Sequence, residues 1–196
     1  MFDYLRSDLR RKRDHYFLVD TFFEKYVKTT LQLGTIAVVY YRFGNWCFKL
    51  HNRLLRCCAI FLYNVAGLFI ATATQIFINP RLLIGKGLII HNFSGVVIDA
   101  ASVGENFTVN QGVSVGPDWR NQGKPVIGNN VFIGSGAKVL GAIQIGNNVV
   151  VAANALVIKS VPDNCTVVGV PARIISRDAS SSYLQLGVVT KQEITV

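Results

Sequence analysis

Hydrophobic positions divide the chain into zones of different period. Residues 1–78 carry long aliphatic and aromatic side chains, few glycines and no proline, which predicts helices. From 79 to 175 an aliphatic residue returns at every sixth position: Val103, Val109 and Val115, then Ile127, Ile133, Val139, Ile145, Val151 and Val157. Ile84 and Ile90 open the series, with one extra residue before Val97. Glycine follows the aliphatic at Gly85, Gly104, Gly116, Gly128, Gly134 and Gly146. A small or branched residue stands four places after it, as at Val113, Val131, Ala137, Ile143, Val149 and Ala155. Period six suits neither a helix nor simple strand alternation. It suits short strands joined by tight corners, with the aliphatic inward and glycine taking corner conformations closed to other residues. Three units then close one triangular coil, and stacked coils pair every strand except those at the two ends. The six in-phase units from Ile127 to Val157 argue against a β-sandwich with coincidental spacing. Residues 176–196 are a polar stretch ending in LQLGVVTKQEITV, a tail or a short closing strand.

The uncharged run from Cys57 to Ile78, CCAIFLYNVAGLFIATATQIFI, is long enough to cross a bilayer. Asn64, Thr72, Thr74 and Gln75 interrupt it, and cations flank both sides at Lys49, Arg53, Arg56, Arg81 and Lys86, so no orientation follows. A helix packed within an oligomer or lying on a membrane surface is the favoured expectation. The formal charge of +9 is concentrated before residue 60, from Arg6, Arg10, Arg11, Lys12 and Arg13 to Arg53 and Arg56. That points to an anionic neighbour or to a solvated basic face. No nucleic-acid-binding motif accompanies the charge, so nucleic acid is not an expected partner. Cys47, Cys57, Cys58 and Cys165 show no metal or redox spacing and read as small buried hydrophobes in a reducing compartment. The charged first turns do not read as a secretory signal.

The repeats, the segment GKPVIGNNVFIGSGAKVLGAIQIGNNVVVAANALVIKSVP and the closing GVPAR resemble the hexapeptide-repeat acyltransferases. The resemblance is closest to serine acetyltransferases and to the related O-acetyltransferases of bacterial surface-polysaccharide synthesis. It covers residues 76–175. It implies a mainly β fold: a left-handed parallel β-helix at 79–175, an N-terminal helical region at 1–78 and a C-terminal tail at 176–196. It also implies acetyl-CoA as acyl donor, no metal, a homotrimer, and active sites in clefts between neighbouring subunits.

Acyl transfer from a thioester to an alcohol needs a base for the hydroxyl proton, and histidine titrates near working pH. His15 and His51 lie in charged segments and read as surface residues. His91 follows Ile90, where a repeat glycine is expected, and a one-residue expansion, Asn92-Phe93-Ser94-Gly95, comes after it. IIHNFSGVVI is similar to the segment carrying the catalytic histidine of serine acetyltransferases, which makes His91 the candidate general base. A corner histidine that merely hydrogen-bonds across a coil is the competing reading. Two departures accompany the resemblance. The carboxylate that partners the family's histidine falls near Phe77 or Ile78, and its second active-site histidine near Lys124. Asp99 and Asp118 are the acids left to orient the base.

Treating the twelve residues from Val115 to Ile127, which include PDWRNQGKP, as one coil side with a six-residue loop extruded puts His91, Asn110, Gly134 and Ala152 on one side of successive coils. Ser135 then stacks on Ala153, and Gly136 on Asn154. This column of small residues, with Gly116, is the candidate groove for a pantetheine arm, its backbone N–H groups aimed at the arm or the developing oxyanion. Lys138, Lys159 and Arg173 are candidates for the CoA phosphates or are solvated surface charges. Trp119 in the loop is a candidate for stacking on a sugar ring or adenine, or for packing across a trimer interface. Asn110 and Lys124 complete the candidate acceptor-binding set. Cys165 has no base near it in sequence and is not expected to act as a nucleophile.

The missing acid and second histidine turn the expectation away from serine and toward a sugar hydroxyl of capsule or exopolysaccharide, acetylated by direct transfer. Serine O-acetyltransfer for cysteine biosynthesis is the alternative, and an inert β-helical scaffold the third reading. The enzyme is expected in the cytoplasm, with its basic, apolar N-terminal region peripheral to the inner face of the membrane.

Overall fold

The protein is described as a computed structural model that covers residues 1–15, 29–91, 94–118 and 123–178. Among the described residues four helices come first: α1 (Phe2–His15), α2 (Thr29–Leu31), α3 (Leu33–Phe48) and α4 (Arg53–Thr74). Asn52 caps α4, its side-chain oxygen accepting from the backbone N–H groups of Leu54 and Leu55. Fourteen short strands follow among the described residues, in three sheets. The first sheet stacks β1 (Ile76–Ile78), β3 (Val96–Ile98), β6 (Ser114–Gly116), β9 (Lys138–Leu140) and β12 (Leu156–Val157). The second stacks β4 (Ser102–Val103), β7 (Val126–Ile127) and β10 (Gln144–Ile145), extended by single bridges at Ile84 and Val161. The third stacks β2 (Ile89–Ile90), β5 (Thr108–Val109), β8 (Phe132–Ile133), β11 (Val150–Val151) and β13 (Thr166–Val168). It ends with β14 (Arg173–Ser176), the antiparallel member that closes the column. The chain visits the sheets in rotation, one strand of each per coil, so the expected triangular coils are present. Strand β1 begins at Ile76, inside the region expected to be helical.

The aliphatic of each unit points into the column, where Ile90, Val109, Val115, Ile133, Val139 and Val151 are fully buried. The phase expected at Val97 is wrong. Val97 pairs with Ser114 and faces outward, whereas Ile98 pairs with Val115 and fills the core. The corner after β2 holds five residues (91–95) where the next coil has three (110–112), a two-residue expansion partly offset by a shorter corner after Ile98.

The repeat glycines also act differently from the expectation. Gly85, Gly104, Gly128 and Gly146 do not occupy the left-handed region. A Cβ on each would press within 2.9 Å of the backbone of the next coil, so glycine is needed there for close stacking. Along this corner the left-handed position is taken by Gly87 and then by Asn106, Asn130, Asn148 and Asn164, a conformation asparagine tolerates. The four asparagine amides form a ladder, each donating to the next at 2.9–3.0 Å.

The first coil would present unpaired backbone groups, and side chains from α1 and α3 bind them. Arg42 donates to the carbonyls of Ile84 and Gly85, both at 2.7 Å. Asp8 accepts from the N–H groups of Gly87 and Leu88. Tyr41 donates to Leu82 O, and Lys12 to Ile90 O. Burial pushes the Lys12 ammonium down to about 8 from an ordinary value of 10.5. Between those values the unfolded chain binds more protons than the folded one, so this group makes stability rise with pH. Unfolding free energies from pH 7.5 to 8.5, below the range where the Cys47 thiol, raised from 9.0 by burial, contributes the opposite slope, are expected to rise by up to about 1.4 kcal/mol per pH unit. Lys12→Met is expected to flatten that rise.

Cys47 and Cys165 are buried as expected, but Cys57 and Cys58 are exposed, because only one stripe of α4 packs against α3.

Candidate active site

His91 directly follows strand β2, at the corner between the third and first sheets. Its N–H donates to Val109 O at 3.1 Å, and the carbonyl of Ile90 just before it accepts from Lys12 Nζ at 3.0 Å. Lys12 also donates to Thr35 Oγ1 at 2.8 Å. Gly34 brings α3 so near that a Cβ there would lie 2.5 Å from Ile90 O. The backbone at His91 is thus held by the next coil on one side and by two helices on the other, while the residue itself is half-buried. Lys12, Gly34 and Thr35 were not singled out from sequence. The one local signal is that Asp8 and Lys12, four apart, share a face of α1.

The expected register along this corner is present. Asn110 N–H donates to Ile133 O, Gly134 N–H to Val151 O and Ala152 N–H to Val167 O. Asn154 N–H donates to Ser135 O at 2.8 Å, and Gly136 lies against Asn154. Gly134, however, does not open a groove. A Cβ there would stand 2.6 Å from Ala153 N and 2.9 Å from Ala152 C, and its N–H is already spent, so it serves the stacking of coils. Ser135 and Ala152 are half-buried and Ala153 is exposed, which leaves these three as the reachable small residues. Lys138 donates to Gly112 O beside the column. Arg173 is exposed on β14, and Lys159 is exposed past β12, at a different corner of the column.

A second polar cluster forms at the corner between the first and second sheets. Asp99 Oδ1 accepts from Lys124 Nζ at 2.7 Å and from Asn79 Nδ2 at 2.8 Å. Burial alone would raise the Asp99 carboxyl, but the hydrogen bonds from Lys124 and Asn79 and the Lys124 charge outweigh it and hold it below the usual range. Gly116 abuts Asp99, and half-buried Asp118 follows where the loop leaves the column. Trp119, like Asn92 and Phe93, lies outside the described residues. Asp99 and Asp118, the acids expected to orient His91, lie at the opposite corner of the first sheet from it. A whole face of the first sheet separates the two corners, roughly 10 Å or more at about 3.3 Å per strand residue. On that face Phe77 is 56% exposed, and no carboxylate replaces it.

Comparison with known proteins adds to this geometry. The family model for the bacterial transferase hexapeptide (six repeats) matches residues 124–159. The serine acetyltransferase of Synechococcus elongatus is 40% identical over 147 residues, covering 74% of this chain and 57% of that protein. The serine acetyltransferase of Staphylococcus aureus is 42% identical over 133 residues, covering 66% and 61%. The chain therefore spans less than two thirds of the length of these relatives. Among solved structures, the serine acetyltransferase of Brucella abortus in complex with coenzyme A superposes with a TM-score of 0.75 at 32% identity, covering 90% of this chain and 68% of that one. The serine acetyltransferase of Vibrio cholerae gives 0.76 at 26% identity, covering 93% and 68%.

Proposed function

The chain belongs to the bacterial hexapeptide-repeat transferase family, and from that premise we propose that it is a CoA-dependent O-acetyltransferase whose acceptor is the hydroxyl of serine. The expectation of a sugar acceptor in polysaccharide synthesis is corrected. The relatives matched over 66–74% of the chain are serine acetyltransferases. An orienting acid serves any alcohol, so its absence at Phe77 bears on how the base is held and not on which hydroxyl it deprotonates.

In this reading the His91 imidazole takes the proton of the serine hydroxyl as its oxygen attacks the thioester carbonyl. A new C–O bond forms, the C–S bond breaks, and the imidazolium returns its proton to the departing CoA thiolate. Asp99 and Lys124 match the ammonium and carboxylate of a free amino acid. Because they lie a corner away from His91, they reach the same substrate only from a neighbouring subunit, which favours the homotrimer. We take the coil as left-handed and the pantetheine arm as lying along Ser135, Ala152 and Ala153, with Lys138 and Arg173 nearest that corner for the phosphates. Acetyl-CoA as donor implies a cytoplasmic site of action.

The observation that carries the proposal is a half-buried histidine clamped at a corner of a column that superposes on a CoA-bound serine acetyltransferase. It is tested by incubating the protein with acetyl-CoA and L-serine while following thiol release and O-acetylserine. Stoichiometric formation of both is expected. Thiol release that ignores serine would overturn the acceptor. Lys124→Ala is expected to raise KM for serine by about 10- to 100-fold, the worth of one charged hydrogen bond, with kcat little changed.

A further inference from the structure

We propose that Lys12 is a positioning residue for acetyl transfer, holding the peptide bond between Ile90 and His91 and thereby setting where the imidazole stands. The role rests on His91 being the general base. That peptide is fixed at both of its polar groups, which point in opposite directions across a trans bond. The N–H of His91 donates to Val109 O at 3.1 Å. The carbonyl of Ile90 accepts from Lys12 Nζ at 3.0 Å. Lys12 is 3% exposed and also donates to Thr35 Oγ1 at 2.8 Å, so α1 and α3 meet at this carbonyl. Gly34 completes the contact from α3, since a Cβ there would stand 2.5 Å from the same oxygen.

A buried ammonium is a costly means of satisfying one carbonyl. Burial pushes it down to about 8 from an ordinary 10.5, so at neutral pH its charge works against folding. The rest of the first edge is capped without it. Tyr41 bonds Leu82 O, Arg42 the carbonyls of Ile84 and Gly85, and Asp8 the N–H groups of Gly87 and Leu88. What the ammonium supplies is a charge-assisted donor at the peptide that leads into the His91 side chain. Such local costs to stability are found where a site needs them. The leverage is geometric. A tilt of this peptide plane turns the Cα of His91 and is carried outward to the ring, and a displacement of about 1 Å at a reacting group is worth roughly 10²-fold in rate.

The test compares Lys12→Met, Gly34→Ala and Tyr41→Phe at pH 7, with acetyl-CoA and serine both varied. Lys12→Met keeps the bulk and removes the donor; it is expected to lower kcat by about 10- to 100-fold and to leave both KM values unchanged. Gly34→Ala crowds the same carbonyl from α3 and should give the same split, although alanine is the better helix former. Both act on one oxygen, so the double variant should lose little beyond the worse single. Tyr41→Phe removes a bond of the same cap away from His91 and is expected to lower the melting temperature while keeping kcat. If Lys12→Met does not fold, Gly34→Ala carries the comparison.

A second readout needs no turnover. The chain has three histidines, His15, His51 and His91, so ring-labelled histidine gives three NMR signals. Lys12→Met is expected to broaden or split the His91 signal and to leave that of His51 in place. Wild-type kcat in Lys12→Met, losses that multiply in the double variant, an equal kcat loss in Tyr41→Phe, or an unmoved His91 signal would overturn the proposal. A wild type that does not acetylate serine would overturn the proposed function instead, and the ring signals would still show whether Lys12 positions His91.

Discussion

Replacing His91 with alanine is expected to lower kcat for acetyl transfer to serine by about 10²- to 10⁴-fold, the usual contribution of a positioned general base. KM for acetyl-CoA should change little, because the proposed mechanism has the imidazole act on the acceptor proton and not on the thioester's binding groups. The residue is half-buried at a corner, and its backbone bonds to Val109 and, through Ile90, to Lys12 do not depend on the side chain. The variant should therefore fold. Steady-state kinetics with both substrates varied checks this, and a loss smaller than tenfold with unaltered KM values would remove His91 from the role of base.

The second large effect is structural. Arg42 and Asp8 form a two-pronged pair, Nε to Oδ2 at 2.8 Å and a terminal guanidinium nitrogen to Oδ1 at 3.1 Å, with 5% and 2% exposure. Both also bind backbone of the first coil. Arg42→Ala leaves a buried carboxylate without its cation and two carbonyls without donors, a loss of about 3–5 kcal/mol. Equilibrium denaturation should register that loss. Hydrogen exchange should show the backbone from Ile84 to Ile90 opening ahead of the later coils. Since that segment leads into His91, kcat should fall as well. A loss under about 1 kcal/mol with protection intact would mean that the edge is held by hydrophobic packing alone.

The repeat was legible because each side of the prism commits one inward aliphatic, and from Val103 to Val157 nothing but the extruded loop disturbs the count. At the first two coils the count misleads. Two extra residues beside His91 and one fewer after Ile98 leave a net excess of one, which placed Val97 inward in place of Ile98. At Gly85, Gly104, Gly128 and Gly146 it is the missing side chain that matters and not the conformation, and the left-handed position of that corner falls to Gly87, Asn106, Asn130, Asn148 and Asn164. The helical cap was invisible for a different reason. Asp8 meets Gly87, and Arg42 meets Ile84, across separations that no local pattern encodes. Of the candidate site, His91 and its column of neighbours follow from register. The separation of His91 from Asp99 appears only once strands β2 and β3 are assigned to different sheets.

That separation supplies the most direct test of a site assembled by two subunits. His91→Ala subunits and Asp99→Ala/Lys124→Ala subunits, each nearly inactive at low serine, are refolded separately and as an equal mixture. If one subunit lends the imidazole and its neighbour the charged pair, the mixture should regain about one quarter of wild-type activity, the share of intact corners in a randomly closed cyclic trimer. A mixture no more active than its two components would contradict the shared site.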